Sequence, residues 1–266
     1  MKEIFDIFGL SGKVEQLDGG QGKSVRVGDF VVKPIEEIGK YSWVGSVLEA
    51  LDFRDLYLSK PIRSKLGNFV EQGFGVTQYI EGQFEVGRLE EKLTVCNQLN
   101  EIIQLIEKPE EWYSWSSPWQ QATQMAWNNT SFTDTTDIKS LKLIESLKDH
   151  YQTISLDTQL IHSDISGNIL FNNQHPVIID FSPEFRSRKY SEALLVTDSI
   201  AWYQEPLASI YAIPYEWELV VQLAIRAIVF RVSVAIILNP TNYKAVLKEL
   251  KNFELLLSFL NLKYIL

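Results

Sequence analysis

The chain has a single cysteine, Cys96. No internal disulfide can form, and the place of Cys96 on an apolar helix-period stretch makes it a small buried hydrophobe. Basic residues are in deficit: 25 Lys and Arg stand against 34 Asp and Glu, a formal net charge of −9. A chain so acidic is a poor nucleic-acid binder and would attract a cationic small molecule. Long apolar runs are almost absent. The one candidate, Glu218 to Leu238, is interrupted by Gln222, Arg226 and Arg231. Charges at the centre of a bilayer span are costly, so a buried helix is expected there and no membrane partner. The first residues, Met1-Lys2-Glu3-Ile4-Phe5-Asp6, lack a signal-peptide pattern, and a cytoplasmic location is the expectation. There is no internal repeat, no low-complexity tract and no zinc-ligand cluster. A P-loop is missing too. Gly22-Lys23-Ser24 would need a glycine at position 17, which is Leu17, and Ser24 onward alternates like a strand instead of opening a helix.

The segment richest in chemistry lies between residues 160 and 181. Leu160-Ile161 and Ile169-Leu170-Phe171 read as short apolar strands around His162-Ser163-Asp164-Ile165-Ser166-Gly167-Asn168. The turn cluster Asn172-Asn173-Gln174-His175-Pro176 follows, then a third strand, Val177-Ile178-Ile179, then Asp180-Phe181-Ser182. An Asp, an Asn a few residues on and a second Asp at a strand end are what phosphoryl transfer requires. Asp164 takes up or orients the proton of an attacking hydroxyl, while Asn168 and Asp180 hold the magnesium that neutralises the phosphates. Protein kinases carry H-R-D-x-x-x-x-N and D-F-G at the equivalent places. The competing reading is ordinary turn chemistry, because Asp, Ser, Gly and Asn populate turns.

Upstream, Leu17-Asp18-Gly19-Gly20-Gln21-Gly22-Lys23-Ser24 is a glycine-rich turn. Two short strands, Ser24-Val25-Arg26-Val27 and Phe30-Val31-Val32-Lys33, flank a tight turn at Gly28-Asp29. Glycines without Cβ let the backbone approach phosphate oxygens, which makes Gly20, Gly22 and Ser24 candidates for that contact. From Gly82 the chain turns helical. Leu89 to Ile106 marks one apolar face, stopped by Pro109, and Ile138 to Leu147 marks another. Ser191 to Tyr203 and Lys244 to Leu266 are expected as further helices. Ser117-Pro118-Trp119-Gln120 is a helix start in a stretch crowded with Trp112, Tyr113, Trp115, Trp119 and Trp127. Those rings either hold a ligand or pack the helices onto the core.

The loop around Asp164 resembles the Brenner-type loop of aminoglycoside phosphotransferases and related small-molecule kinases, which reads His-Gly-Asp, then Gly-Asn, with Ile-Asp-Phe on the metal-binding strand. Ser163 stands here in place of the usual glycine, and the Asp164-to-Asn168 gap is one residue shorter than the commonest version. Over nearly its whole length the chain is similar to a subgroup of uncharacterised bacterial phosphotransferase-like proteins with the same short loop. The resemblance implies an α+β, two-lobed, protein-kinase-like fold: a small antiparallel-sheet lobe over residues 1–82, hinge included, and a larger, mostly helical lobe over residues 83–266. It implies ATP or GTP with Mg2+ as cofactors and the hydroxyl of a small molecule as acceptor. Lys33 matches the family's phosphate-binding lysine and Glu49 its ion-pair partner. The backbone of Gln78 and Ile80, in the hinge, would meet the base. The short run after Asp180 leaves little room for a phosphorylatable activation loop, and Asp198 would brace the catalytic loop from the next helix. A peptide or protein Ser/Thr kinase, and an inactive nucleotide-binding module, are the alternatives.

Overall fold

The computed structural model describes residues 1–17, 23–53, 56–128, 137–173 and 175–264. Its first lobe is a five-stranded antiparallel sheet in the order β1 (Val14–Gln16), β2 (Val25–Val27), β3 (Phe30–Pro34), β6 (Phe74–Gln78) and β5 (Val70–Glu71). Gly28, at φ 59°, makes the β2–β3 turn as expected; positive φ there costs a glycine little. Alternation along the strands sends Val27, Val32 and Val76 to one face. There they meet Ile4 and Phe8 of helix α1 (Lys2–Phe8) in a small core of their own.

Helix α2 (Ile38–Ala50) follows β3 but buries Val44 and Leu48 in the core of the larger lobe. β4 (Tyr57–Leu58) also crosses over. It pairs in parallel with β9 (His175–Ile178), which pairs antiparallel with β8 (Ile169–Asn172). A separate ladder joins β7 (Gln159–His162) to β10 (Pro183–Arg186). The strand before Asp164 is thus tied directly to the strand after Asp180.

The rest is helical: α3 (Leu89–Ile103), α4 (Pro118–Trp127), α5 (Ile138–Lys148), α6 (Arg188–Trp202), α7 (Trp217–Leu238), α8 (Tyr243–Asn252) and α9 (Glu254–Phe259). Ser117 caps α4 by accepting the Gln120 N–H at 3.2 Å. α7 is the one helix among the described residues long and apolar enough to cross a bilayer. It lies at the centre of the large core, against α4, α5, α6 and α8, and Leu223, Ile225, Ile228 and Phe230 are fully buried. Each such side chain contributes about 1.5–3 kcal/mol on burial.

Three helix boundaries differ from expectation. α3 ends at Ile103, three residues before Ile106. α6 starts at Arg188, three residues before Ser191, because Ser187 caps it by accepting the Lys189 N–H at 3.4 Å. The expected single helix from Lys244 onward breaks at the buried Phe253. α8 packs on α7 and α5, whereas α9 turns toward α6 and the 3₁₀ segment Leu207–Ala212, which a straight helix would not reach.

Candidate active site

Local hydrogen bonds shape the loop between β7 and β8. Both the backbone N–H and the hydroxyl of Ser163 donate to the Ser182 carbonyl, at 2.9 and 3.2 Å. The side chain that departs from glycine therefore stitches the loop to the segment after Asp180. His162 is buried beneath the loop, and its Nδ1 accepts the Asp164 N–H at 3.2 Å. Burial lowers the His162 pKa to about 4, so the ring is neutral. Asn168 closes the short loop by donating its Nδ2 to the Asp164 carbonyl at 2.6 Å. Its own carbonyl accepts the Ile179 N–H at 3.0 Å, which ties the loop to the strand leading to Asp180. A Cβ at position 167 would sit 2.7 Å from the Tyr203 hydroxyl, so a larger residue there would have to displace that side chain.

The Asp164 carboxylate is held from behind. Its Oδ1 accepts from Arg231 Nη2 at 2.7 Å. The same guanidinium donates twice to Asp198, at 2.5 and 3.1 Å, and Asp198 also accepts the Ser166 hydroxyl at 2.8 Å. Asp198 therefore braces the loop through side chains. Burial opposes the charge on Arg231, but the two carboxylates outweigh it and raise its pKa. In the sequence Arg231 was visible only as an interruption of an apolar run. An arginine inside such an apolar helix is itself a signal, since buried charges are paired.

On the opposite wall, Lys33 Nζ lies 2.7 Å from Asp180 Oδ1. Desolvation in the recess works against the Asp180 charge, but the Lys33 ammonium more than offsets it and the carboxyl is held below its usual range. Gly75 pairs with Lys33 across the sheet, and a Cβ there would strike the Tyr41 ring at 2.6 Å.

Glu49 does not pair with Lys33. Tyr41, Val44 and Leu48 of α2 line the cleft, and Glu49 falls about 100° round the helix from Leu48. There it takes the Arg63 guanidinium in bonds of 2.7–3.0 Å. An aromatic contact holds α2 in place of that ion pair. Trp43 packs on Trp112, Trp115 and Phe185 with centroids 5.7–6.1 Å apart, and Lys40 Nζ stands 4.7 Å over the Trp112 ring. Trp112 and Trp115 thus pack α2 onto the larger lobe, whereas Trp127 packs on Tyr190, Tyr113 is exposed and Trp119 lines the cleft.

Gln78 is a second departure. Residues 60–62 run beside the end of β6, so the Gln78 N–H is bonded to the Lys60 carbonyl at 3.2 Å and its C=O accepts the Ser59 hydroxyl at 2.5 Å. The N–H is therefore not left for a base. Among the described residues, the backbone N–H and C=O of Ile80 have no backbone partner. Ser24 lines the cleft beside Lys23; Gly20 and Gly22 lie outside the described residues.

The cleft between these walls has a volume of about 680 Å³. Asp164, Asn168, Asp180 and Lys33 line it, as do Ser117, Trp119, Glu184 and Tyr203. Glu184 is buried, and burial raises its carboxyl pKa. With Asn168 Nδ2 committed to the loop, its Oδ1 and the second oxygen of Asp180 are left as hard oxygen donors. That set suits Mg2+, which takes one or two protein ligands and fills its shell with phosphates and water.

By sequence, no family model and no curated protein matches the chain. By structure, the apo form of a thermostable mutant of aminoglycoside phosphotransferase APH(4)-Ia matches with a TM-score of 0.61 and 12% identity, covering 97% of this chain and 98% of that one. The AMP-bound complex of spectinomycin phosphotransferase APH(9)-Ia matches with a TM-score of 0.57 and 16% identity, covering 94% and 93%. The chain has the fold of these kinases. Choline kinase LicA from Streptococcus pneumoniae shares it as well, with a TM-score of 0.56, 14% identity and coverage of 94% and 98%. The two-lobed, protein-kinase-like α+β architecture expected from the loop motif is therefore the one observed.

Proposed function

We propose that this protein is a phosphotransferase that moves the γ-phosphoryl group of ATP or GTP onto a hydroxyl of a small molecule. One observation carries the reading: Lys33 and Asp180 meet at 2.7 Å in the same cleft that Asp164 and Asn168 face. Residues 1–82 form the nucleotide lobe and hinge, and residues 83–266 carry the catalytic loop and acceptor site. Lys33 holds phosphate oxygens, Ser24 with Gly20 and Gly22 covers the phosphates, and Ile80 meets the base. Asn168 and Asp180 hold Mg2+, which on binding neutralises charge on the transferring phosphoryl group. Asp164 accepts a hydrogen bond from the acceptor hydroxyl. The acceptor oxygen bonds to the γ-phosphorus, the bond to the bridging oxygen breaks, the diphosphate leaves, and the hydroxyl proton passes to Asp164.

A neighbour of the same fold supports the substrate class: APH(4)-Ia forms a ternary complex with AMP-PNP and hygromycin B. The net charge of −9 favours a cationic acceptor, and the same reading puts the protein in the cytoplasm. The β7–β10 ladder begins three residues after Asp180. It leaves no free activation loop, which favours a small-molecule acceptor over a regulated protein kinase. The test is an acceptor screen with γ-labelled ATP and GTP. Label on a hydroxylated small molecule supports the reading. Label on peptide serine or threonine alone, or nucleotide binding with no transfer to any acceptor or water, overturns it.

A further inference from the structure

Arg231 comes from the middle of α7, 67 residues beyond Asp164 in sequence, and belongs to neither motif. Three features make it more than a counter-ion for Asp198. First, it shares one nitrogen between two carboxylates: Nη2 donates to Asp164 Oδ1 at 2.7 Å and to Asp198 Oδ2 at 2.5 Å. Second, the guanidinium cannot swing. Its Nε is bonded to Asp198 as well, and its Cζ lies 4.8 Å from the Trp202 ring centroid and 5.0 Å from that of Phe230. Third, it engages only one oxygen of Asp164. The contact of Oδ2 with Asn168 Nδ2, at 3.5 Å, is too long to be a strong hydrogen bond. A carboxylate on a loop turns about two torsions; fixing one oxygen to a rigid donor restricts that rotation and leaves the other oxygen without a strong partner on a residue that lines the cleft.

We propose that Arg231 is a positioning residue for phosphoryl transfer: it holds Oδ1 of Asp164 so that Oδ2 is presented to the acceptor hydroxyl. The proposal rests on the kinase reading above. It differs from a purely structural role, in which Arg231 only neutralises the buried Asp198 and the orientation of Asp164 is set by its own loop.

The test uses Arg231→Met combined with Asp198→Asn, which removes the clamp without leaving an unpaired buried charge, and Arg231→Lys alone. Magnesium-ATP is the probe, with water as acceptor. Its Kd is read by calorimetry and its turnover by phosphate release. Misplacing a reacting group typically costs about 10²-fold, so the double variant is expected to lose about that much in kcat with the Kd of the parent. Arg231→Lys keeps the charge but lacks a fork able to reach both carboxylates, and should fall between parent and double variant. A folded double variant with parental kcat overturns the proposal. If the double variant does not fold, Arg231→Lys decides: parental kcat overturns the proposal, and a lowered kcat at unchanged Kd upholds it. A parent that binds magnesium-ATP but turns over neither water nor any screened acceptor overturns the kinase reading itself. That result is distinct from an active parent with equally active variants, which overturns only the role of Arg231.

Discussion

Asp164→Asn should separate catalysis from stability, because the carboxylate belongs to a charge cluster that does not need it. Arg231 bonds Asp164 and Asp198 together, so one guanidinium serves two acids and the cluster carries an excess negative charge. With charge centres about 4 Å apart and an effective dielectric near 20, the Arg231–Asp164 attraction is roughly 4 kcal/mol. The two carboxylates accept from the same nitrogen at 2.7 and 2.5 Å. They therefore repel one another across about 5 Å, roughly 3 kcal/mol on the same scale. Removing the Asp164 charge forfeits the first and relieves the second, and the asparagine still offers an oxygen to Arg231. The Asp164 side chain is 31% exposed, so solvent screens both contributions. The net change is about 1 kcal/mol or less, which corresponds to a melting shift within about 2–4 °C for a chain of this size. Magnesium-ATP affinity should stay at the parental value, since Lys33 and Asp180 on the other wall are untouched. Transfer should fall by about 10²–10⁴-fold, the range for loss of general acid–base help. Thermal melts, calorimetry and rate measurements on one preparation test all three. Parent-like transfer refutes the assignment of Asp164. A melting temperature displaced several times further than this shows that the carboxylate is a structural ion-pair partner and that the near-cancellation is wrong.

Lys33→Ala should weaken magnesium-ATP binding about 10- to 100-fold, the worth of one charge-assisted hydrogen bond, and leave adenosine affinity unchanged; equal affinities for both ligands in variant and parent would remove Lys33 from the phosphate site. Asp180→Asn should abolish the magnesium dependence of nucleotide affinity in calorimetry run with and without the metal, and persistence of that dependence argues against Asp180 as a ligand. Glu49→Ala should leave turnover and melting temperature unchanged, because its partner is Arg63 at the surface. Trp43→Ala should cost about 3 kcal/mol by cavity formation and weaken nucleotide binding as α2 loosens; the opposite ranking in a melt and turnover comparison would restore the ion-pair model. His162 is held neutral with its pKa near 4, below the 6.5 of a free histidine. The unfolded chain therefore takes up a proton between those values that the folded chain refuses. Its stabilising effect is complete above pH 6.5 and declines as pH falls toward 4, by up to about 3 kcal/mol. Melting curves that stay flat from pH 7 to 5 would show that His162 protonates without unfolding the loop.

What the sequence by itself determined was local. The loop 163–168, its flanking strands and Asp180 lie within about twenty consecutive residues, so turn chemistry and strand alternation were enough to bring Asp164, Asn168 and Asp180 to one cleft. The β2–β3 hairpin at Gly28, the Ser117 cap and the burial of α7 were legible for the same reason. Each is a short-range preference that tertiary packing reinforced. Apart from helix boundaries, the misreadings concern direction or distant partners. The resemblance matched Glu49 to the ion-pair partner of Lys33, but the packing of Val44 and Leu48 into the larger core decided which way that helix was rotated, and it turned Glu49 to Arg63. Gln78, which the resemblance placed in the hinge, ends β6 instead, and a segment from residues 59–62 takes up its backbone N–H. Arg231 stands 67 residues from the carboxylate it grips. Such a contact leaves no periodic trace in the chain, because it exists only once α7 is packed against α6 and the catalytic loop. Tertiary structure decided these points because a side chain's neighbours across the core depend on how whole elements dock, and no short-range preference encodes that.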